Sequence, residues 1–295
     1  MLKAKIIIVI LLISGSCIAQ NENVVIVYSH NTNGVLENCN CPERSYGALE
    51  KRAAIIDSIR KVEKNVLLLD SGDILDIQPS RLLHDHVVQA YKYMNYDYWA
   101  PGDQDFVEGG DFFKNLLKGM PASLVSSNIL YKGELIGEPY LIEKMGNLRL
   151  GITGTINDDL HKYLDSPLSK DFVFQNQYES LKPVLKELMD KAQFIILLSH
   201  SGIERDRIIA KKFPAINLII GGHSQTILEK PEKIGSTWIT QVGESGYRLG
   251  LFKIWFENDK VKEIKNSVIL LTRNMPDNPA VVKLIEHYHQ NRLSK

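Results

Sequence analysis

Four apolar segments of the sequence each lead to a residue that can bind a metal ion. Asp73 follows "VLLLDSG", Asp103 follows "YDYWAPG", His200 ends "FIILLSH" and His223 follows "NLIIGG". Two carboxylates and two neutral imidazoles are a suitable ligand set for a divalent ion that keeps positions for water or a phosphate oxygen. Each residue alone has an ordinary explanation, such as a turn aspartate or a helix cap. The repeated placement of a ligand-type residue after an apolar run nevertheless predicts a metal site.

A further loop, "YSHNTNGVLENCNC" over residues 28–41, follows the apolar run "VVIV" and carries amides and thiols instead of acids and imidazoles. A disulfide between Cys39 and Cys41 would close a very small and strained ring. We therefore favour metal ligands or a redox pair over a structural disulfide, and a loop that merely tolerates two thiols stays open as an alternative.

The elements that must position these residues are strands that alternate with helices. Short aliphatic runs bounded by turn residues are typical of strands buried on both faces, and amphipathic helical patterns at about 47–61, 81–94 and 178–191 separate them. The sequence therefore predicts a layered α/β fold. Because residues beyond the carboxyl ends of such strands converge on one crevice, we expect the four candidate ligands to meet there.

The last third of the chain has a different pattern. From Thr237 onward, "TWITQV", "LGLFKIWF" and "VKEIKNSVILL" predict a partly antiparallel sheet packed alongside the first. The segment "NPAVVKLIEHYHQNRL" predicts an exposed closing helix. Five other histidines lie on helical patterns with charged neighbours and are predicted on solvated faces: His84, His86, His161, His287 and His289.

The N-terminal residues predict an export signal over residues 1–19. Lys3 and Lys5 precede the apolar core "IIIVILLI", and the small residues "SGSCIA" follow it. We favour cleavage after Ala19 over a lipoprotein signal acylated at Cys17, and expect a periplasmic or secreted protein. In the alternative, Cys17 would anchor the protein to the envelope membrane.

The charge balance argues against a nucleic-acid polymer as a partner. The chain has 35 basic and 35 acidic residues, and loss of Lys3 and Lys5 with the signal would leave 33 against 35. We find no basic stripe or aromatic-interleaved patch of the kind that a phosphate backbone requires.

The order of the motifs resembles one family, the metallophosphoesterases of the bacterial 5'-nucleotidase type, which share a calcineurin-like fold. The matching segments are "NTNG", "SGD", "GDQD", "LLSHSG" and "GGHSQT", and they extend over nearly the whole mature chain. The resemblance implies two packed mixed β-sheets flanked by helices over residues 20–275, with a helical tail at 276–295. It also implies hydrolysis of a small phosphorylated substrate by a metal-polarised water.

The resemblance implies two adjacent divalent ions, of Mn, Zn, Fe or Mg, and only one of the two sites keeps the family's residue types. Asp73, Asp103, His200 and His223 match the ligands of one ion, although Asp103 stands where the family has an amide. For the other ion, Asn31 stands for an aspartate, and Asn33 and Gln225 stand for histidines. Amide oxygens bring no charge to offset a dication, so we expect this site to be weak.

Three outcomes follow for the altered site. The protein binds one ion; or it binds a second, hard ion weakly through Asn31, Asn33, Asp73 and Gln225; or Glu37, Cys39 and Cys41 supply the missing anions.

A second departure from the family affects catalysis. Gln104 occupies the place of a histidine that stabilises the transition state, and glutamine cannot carry a proton at useful pH. We expect slow phosphomonoester hydrolysis or a different acid, for which Asp105 is the candidate.

The sequence thus predicts an exported metal-dependent phosphoesterase with one strong metal site. The alternative is a catalytically degenerate protein of this fold that binds a ligand or a partner. A thiol redox role for Cys39 and Cys41 is a third hypothesis.

Overall fold

The computed structural model describes residues 22–38, 46–47, 49–163, 170–257 and 260–293. The helices are α1 (Leu49–Val62), α2 (Arg81–Met94), α3 (Gly109–Gly119), α4 (Gln177–Lys191), α5 (Ile203–Lys212) and α6 (Pro279–Leu293). The strands are β1 (Glu22–Ser29), β2 (Val66–Asp70), β3 (Tyr98–Trp99), β4 (Ser123–Leu124), β5 (Ile129–Tyr131), β6 (Glu134–Leu135), β7 (Tyr140–Met145), β8 (Leu148–Ile156), β9 (Phe172–Phe174), β10 (Phe194–His200), β11 (Leu218–Gly221), β12 (Glu232–Ile234), β13 (Thr237–Thr240), β14 (Arg248–Glu257) and β15 (Lys260–Leu270). Short 3₁₀ helices cover Asp103–Phe106 and Asp158–Tyr163.

Two six-stranded mixed sheets form the centre of the fold. The first has the strand order β15-β14-β1-β2-β3-β4, and the second has the order β12-β13-β11-β10-β8-β7. Strands β1 to β4 are parallel, as are β8, β10, β11 and β13, whereas β7, β12, β14 and β15 are antiparallel to their neighbours. The predicted α/β fold of two mixed sheets flanked by helices is confirmed.

The strands after Thr237 do not form a sheet of their own, in contrast to the sequence-based expectation. Strand β13 joins the second sheet beside β11, and β14 pairs antiparallel with β1 in the first sheet. Local patterns identify strands, but the choice of partner depends on long-range burial that periodicity does not reveal.

Three apolar layers hold the sheets and helices together. Between the two sheets, side chains such as Ile26 and Leu69 pack with Ile152 and Ile196, and all four are fully buried. Helices α1, α2, α3 and α6 contribute to a second cluster with the first sheet, and α4 and α5 contribute to a third with the second sheet. The central strands are therefore covered on both faces, which accounts for their continuous aliphatic sequences.

The C-terminal helix is docked and is less exposed than the sequence suggested. Val281 of α6 is fully buried, and Leu284, Ile285 and Tyr288 pack against the cluster that α1 and α2 share. These residues recur at the spacing of one helical face, which explains the docking. None of the helices in the described ranges is long and apolar enough to cross a membrane.

Candidate metal centre

The structure brings together the four side chains that the sequence singled out. One ligand atom from each of Asp73, Asp103, His200 and His223 lies within 4.8 Å of the others. Asp73 and Asp103 follow β2 and β3 of the first sheet, and His200 and His223 lie at the ends of β10 and β11 of the second. The cluster therefore sits where the carboxyl ends of both parallel sets of strands meet.

His200 presents a lone pair to the centre of this cluster. Its Nδ1 lies 2.7 Å from the carbonyl oxygen of Ser71, which only accepts hydrogen bonds, so Nδ1 carries the proton. The buried Nε2 has no hydrogen-bond partner among the described residues, although it faces Asp73 Oδ2 at 3.1 Å and Asp103 Oδ1 at 3.3 Å. Three electron-rich atoms in contact need a proton or a cation between them, and a backbone carbonyl behind a ligating imidazole is the arrangement that metal sites use.

Electrostatics at the cluster support the same conclusion. Burial alone would lower the pKa of His200, yet the carboxylates of Asp73 and Asp103 raise it well above its usual range. Burial opposes ionisation of Asp103, and the imidazoles of His200 and His223 nevertheless hold the pKa of Asp103 below its usual value. His223 Nδ1 lies 3.2 Å from Asp103 Oδ1. The site thus attracts positive charge, either as protons or as a metal ion.

Glycines allow the two carboxylate loops to touch. A Cβ atom on Gly72 would lie 2.3 Å from the backbone nitrogen of Gly102. A Cβ on Gly102 would lie 2.3 Å from Asp73 Oδ1 and 2.5 Å from His200 Cε1. Any larger residue at either position would push the candidate ligands apart, which explains the glycine before each aspartate.

Asp105 has a structural role that the sequence did not predict, and its suggested service as the catalytic acid stays a prediction. Its fully buried carboxylate accepts hydrogen bonds at 2.8–3.1 Å from four backbone N–H groups, those of Gly102, Asp73, Ile74 and Leu75. Burial and the Asp73 charge raise the pKa of Asp105, but four donors occupy its lone pairs and favour the ionised form. Asp105 therefore holds the Asp73 loop in place.

Asn31 turns a donor toward the cluster. Its Oδ1 accepts the backbone N–H of His223 at 2.9 Å and lies 2.8 Å from Nδ1 of His30. Because a backbone N–H can only donate, the amide orientation is fixed, and Nδ2 donates to Asp73 Oδ2 at 2.8 Å. Asn31 in this arrangement offers no lone pair to a second ion.

Gln104 and Asn33 also make hydrogen bonds to Asp73. Gln104 donates from its backbone N–H to Asp73 Oδ1 and from Nε2 to Asp73 Oδ2, both at 3.0 Å. Asn33 donates its backbone N–H to the carbonyl oxygen of Asp73, and its buried Oδ1 has no partner among the described residues. Gln225 is half-buried on the loop that carries His223. Two side-chain amides, those of Asn31 and Gln104, therefore donate to Asp73 Oδ2.

Glu37 does not join the cluster. Its carboxylate contacts Nε2 of His289 on α6 at 2.7 Å. Cys39 and Cys41 lie outside the described residues, so their proposed role as ligands stays a prediction, as does the interpretation of residues 1–19 and Cys17.

A buried arginine that sequence reasoning missed supports the first loop. Arg52 is fully buried on α1 and donates to the hydroxyls of Tyr91 at 2.9 Å and Thr32 at 3.0 Å. Tyr91 in turn donates to Asp70 Oδ2 at 3.0 Å. Arg52 lies on the same helical face as Leu49, Ala53 and Ile56. Its position on this apolar face is the sequence pattern that could have predicted a buried arginine.

His84 was predicted on a solvated face, and that prediction is wrong. The ring is fully buried on the apolar side of α2, with Nδ1 2.9 Å from Glu108 Oε1 and Nε2 3.2 Å from the backbone N–H of Asp76. Asp76 and Glu108 follow the Asp73 and Asp105 loops, so His84 ties these loops together. Its spacing of three and seven residues from Val87 and Tyr91 would have placed it on the buried face.

A second buried network holds the loop of His223. The carboxylate of Asp206 accepts from Ser199 Oγ at 2.6 Å and from Gln241 Nε2 at 3.1 Å. Gln241 Oε1 accepts from Ser224 Oγ at 2.9 Å and from the backbone N–H of Thr226 at 3.2 Å. Burial raises the pKa of Asp206 to about 7. The network fixes the loop on both sides of Gln225.

A groove of about 360 Å³ opens beside His223. Asn157, Ser201, Arg205 and Ser224 contribute to its polar lining. It is large enough for a small organic group attached to a phosphate at the cluster.

Comparison with known proteins identifies the family. The Calcineurin-like phosphoesterase family model matches residues 22–226. The human 5'-nucleotidase is 28% identical over 272 residues, which cover 82% of this chain and 47% of that protein. The chain thus spans about half the length of the curated relatives it matches.

Solved structures agree on the fold. A 5'-nucleotidase precursor from Thermus thermophilus superposes with a TM-score of 0.82 at 24% identity, covering 92% of this chain and 59% of that one. The calcineurin-like phosphoesterase YfkN from Bacillus subtilis gives a TM-score of 0.80 at 21% identity, covering 93% and 98%. Together with the family match over 205 of 295 residues, these findings show that the chain belongs to the calcineurin-like phosphoesterase family.

Proposed function

We propose that this protein is a metal-dependent phosphoester hydrolase with one well-formed divalent site. Asp73, Asp103, His200 and His223 would hold the ion. The observation that carries the proposal is the buried Nε2 of His200, which faces two carboxylate oxygens without a hydrogen-bond partner among the described residues. Two carboxylates also offset the charge of one dication without further anions.

The chain's own residues position the reaction. When bound, the ion would polarise the attacking water and offset charge on the phosphoryl oxygens. The carbonyl of Ser71 keeps His200 in the tautomer that offers Nε2, and Asp105 keeps Asp73 in place. Gln104 contributes an uncharged N–H donor beside Asp73, which stabilises a developing negative charge less than a cationic imidazole does. We therefore expect slow turnover.

A single ion fits these residues better than two. The Nδ2 group of Asn31 and the Nε2 group of Gln104 both donate to Asp73 Oδ2, which leaves this carboxylate with less capacity to bridge to a second ion. The Oδ1 atom of Asn31 is already used by two hydrogen bonds.

The substrate proposed is a small phosphorylated molecule in the groove beside His223. Nucleotides are one candidate, since the relatives are named 5'-nucleotidases, and other phosphoesters are equally testable. We further propose that the protein is periplasmic or secreted after cleavage of residues 1–19. The alternative is a lipid-anchored envelope protein with Cys17 acylated.

The test combines metal analysis with an activity panel. Dialysed protein is analysed for bound metals and then assayed on phosphoesters with added manganese, zinc, iron or magnesium. We expect about one tightly bound ion per chain and metal-dependent turnover that Asp73→Ala abolishes. The exposed Asp190→Ala on α4 is the matched control and keeps both properties.

The second candidate function is a non-hydrolytic binding protein, which the amide groups on Asp73 favour. It predicts one bound ion but no metal-dependent turnover on any phosphoester of the panel. Wild-type protein that binds no ion, with Asp73→Ala indistinguishable from it, would remove both candidates.

A further inference from the structure

A pair of histidines outside the candidate metal centre, His86 and His287, lies between α2 and α6. His86 is 3% exposed, and its Nδ1 lies 2.7 Å from the carbonyl oxygen of Leu82, one turn earlier in α2. Since a carbonyl only accepts, Nδ1 carries the proton and Nε2 carries a lone pair. The sequence-based expectation of a solvated His86 is therefore wrong.

The lone pair of His86 faces a second imidazole. Nε2 of His86 lies 3.2 Å from Nδ1 of His287, which is exposed on α6. Two nitrogen ligands at 2.0–2.1 Å from a tetrahedral ion are about 3.3 Å apart. The two rings thus have the spacing of neighbouring ligands on one ion without any backbone movement.

The surroundings of the pair also suit a metal ion. The carbonyl behind His86 fixes its ring as in established metal sites. The amide nitrogen of Asn291, one turn after His287, lies 3.2–3.3 Å from the ring nitrogens of His287, and His287 is exposed to solvent, which can supply further ligands. Neutral imidazoles favour Zn²⁺, Ni²⁺ and Cu²⁺ over Mg²⁺ or Ca²⁺.

We propose that His86 and His287 form a second metal site, specific for a transition-type divalent ion such as Zn²⁺, which links α6 to α2. Without the ion, His287 donates its Nδ1 proton to His86. With the ion, that proton moves to Nε2 of His287, and the metal takes its place. The consequence is that a metal ion would further stabilise the docked α6, the helix that also contacts Glu37 through His289.

The test is made in an Asp73→Asn background, which weakens the proposed catalytic site, and the comparison of His287→Ala with His289→Ala within it keeps the two proposals separate. We expect this variant to bind one Zn²⁺ by calorimetry and to gain about 5 °C in melting temperature at saturating Zn²⁺. Added Mg²⁺ should give neither effect. In ¹⁵N spectra, Zn²⁺ should shift Nε2 of His86 and Nδ1 of His287.

His287→Ala is the decisive variant, because His287 is exposed and its loss should not prevent folding. It should weaken Zn²⁺ binding roughly tenfold or more and abolish the gain in melting temperature. His289→Ala, two residues away on α6, is the matched control and should keep the Zn²⁺ affinity. Equal affinity in the His287→Ala and His289→Ala proteins, or no Zn²⁺ binding in the Asp73→Asn background, would overturn the proposal.

Discussion

The two halves of the candidate metal centre share Asp73 and differ in what they present to it. The acidic half, Asp103, His200 and His223, presents carboxylate and imidazole atoms that attract protons or a cation. The amide half, Asn31, Asn33 and Gln225, includes an N–H donor to Asp73 Oδ2 from Asn31. The acidic half would pair Asp73 with an ion, and the amide half pairs it with hydrogen bonds. An amide in place of a metal ligand therefore need not leave the buried carboxylate of Asp73 without a partner.

The acidic half and the amide half differ in their side chains but share an unusual backbone conformation. Of the eight non-glycine residues with positive φ in the described ranges, five belong to this centre: Asn31, Asn33, Asp73, His223 and Gln225. Such conformations cost free energy and concentrate at functional sites. The loops of both halves thus have the strained shape of a ligand-binding site, and the halves differ in side-chain chemistry alone.

The largest effect is expected when the amide half is given anionic and imidazole ligands. The triple variant Asn31→Asp, Asn33→His and Gln225→His should bind a second divalent ion, with affinity about a thousandfold above the wild type. Metal analysis should show the stoichiometry rise from one to two when both proteins also carry His287→Ala, which removes the proposed site between α2 and α6.

Asn31→Asp alone is the control for this variant, because without a second ion it places two carboxylates in contact and should destabilise the metal-free protein. A triple variant that still binds one ion would mean that the loop shape, and not the ligand type, excludes the second.

The next effect is a loss of stability at low pH, which we expect from protonation of His30 beside Asn31 of the amide half. Burial lowers the pKa of His30 to about 4, and its Nε2 accepts the backbone N–H of Val242 at 2.7 Å. An unfolded histidine has a pKa near 6.5, so this stabilisation is complete above pH 6.5 and is lost as the pH falls toward 4. The loss at pH 4 is about 3 kcal/mol in the free energy of unfolding.

Urea unfolding between pH 7 and 4 measures this loss, with His30→Gln as the comparison. The glutamine variant should be less stable at pH 7 but should have a flatter pH profile. Equal slopes in the two proteins would show that His30 does not control acid stability.

The fold and the acidic half could be predicted from sequence because both depend on local patterns. Aliphatic runs mark β2, β10 and β11, and the residues after them must meet at the carboxyl ends of the strands. The roles of Asp105 and Asn31 could not be predicted, since they depend on which backbone N–H groups surround each side chain. Asp103 and Asp105 are two residues apart, yet one faces the cluster and the other binds four backbone groups.

A smaller effect is expected from restoring the family's imidazole beside Asp73. Gln104→His should raise the turnover of a phosphoester by about a hundredfold, because a cationic ring stabilises the transition state better than a neutral amide. Steady-state rates with the best metal test this, and Gln104→Ala serves as the control that should remain slow. If histidine brings no gain, the amide half limits the reaction, and the two halves cannot be treated separately.

The smallest effect tests whether the amide half binds anything at all. Gln225 has a φ of 53°. This backbone conformation costs an L-residue about 1 kcal/mol and costs glycine much less. The free energy of unfolding of Gln225→Gly should therefore lie within about 0.5 kcal/mol of the wild-type value or slightly above it. Asn95→Gly, at the left-handed C-cap of α2, is the matched control far from the centre. If Gln225 binds no ion, both variants should keep the metal content and turnover of the parent. A loss of metal in Gln225→Gly alone would mean that its oxygen is a ligand, and the division into a metal-binding half and a hydrogen-bonding half would no longer hold.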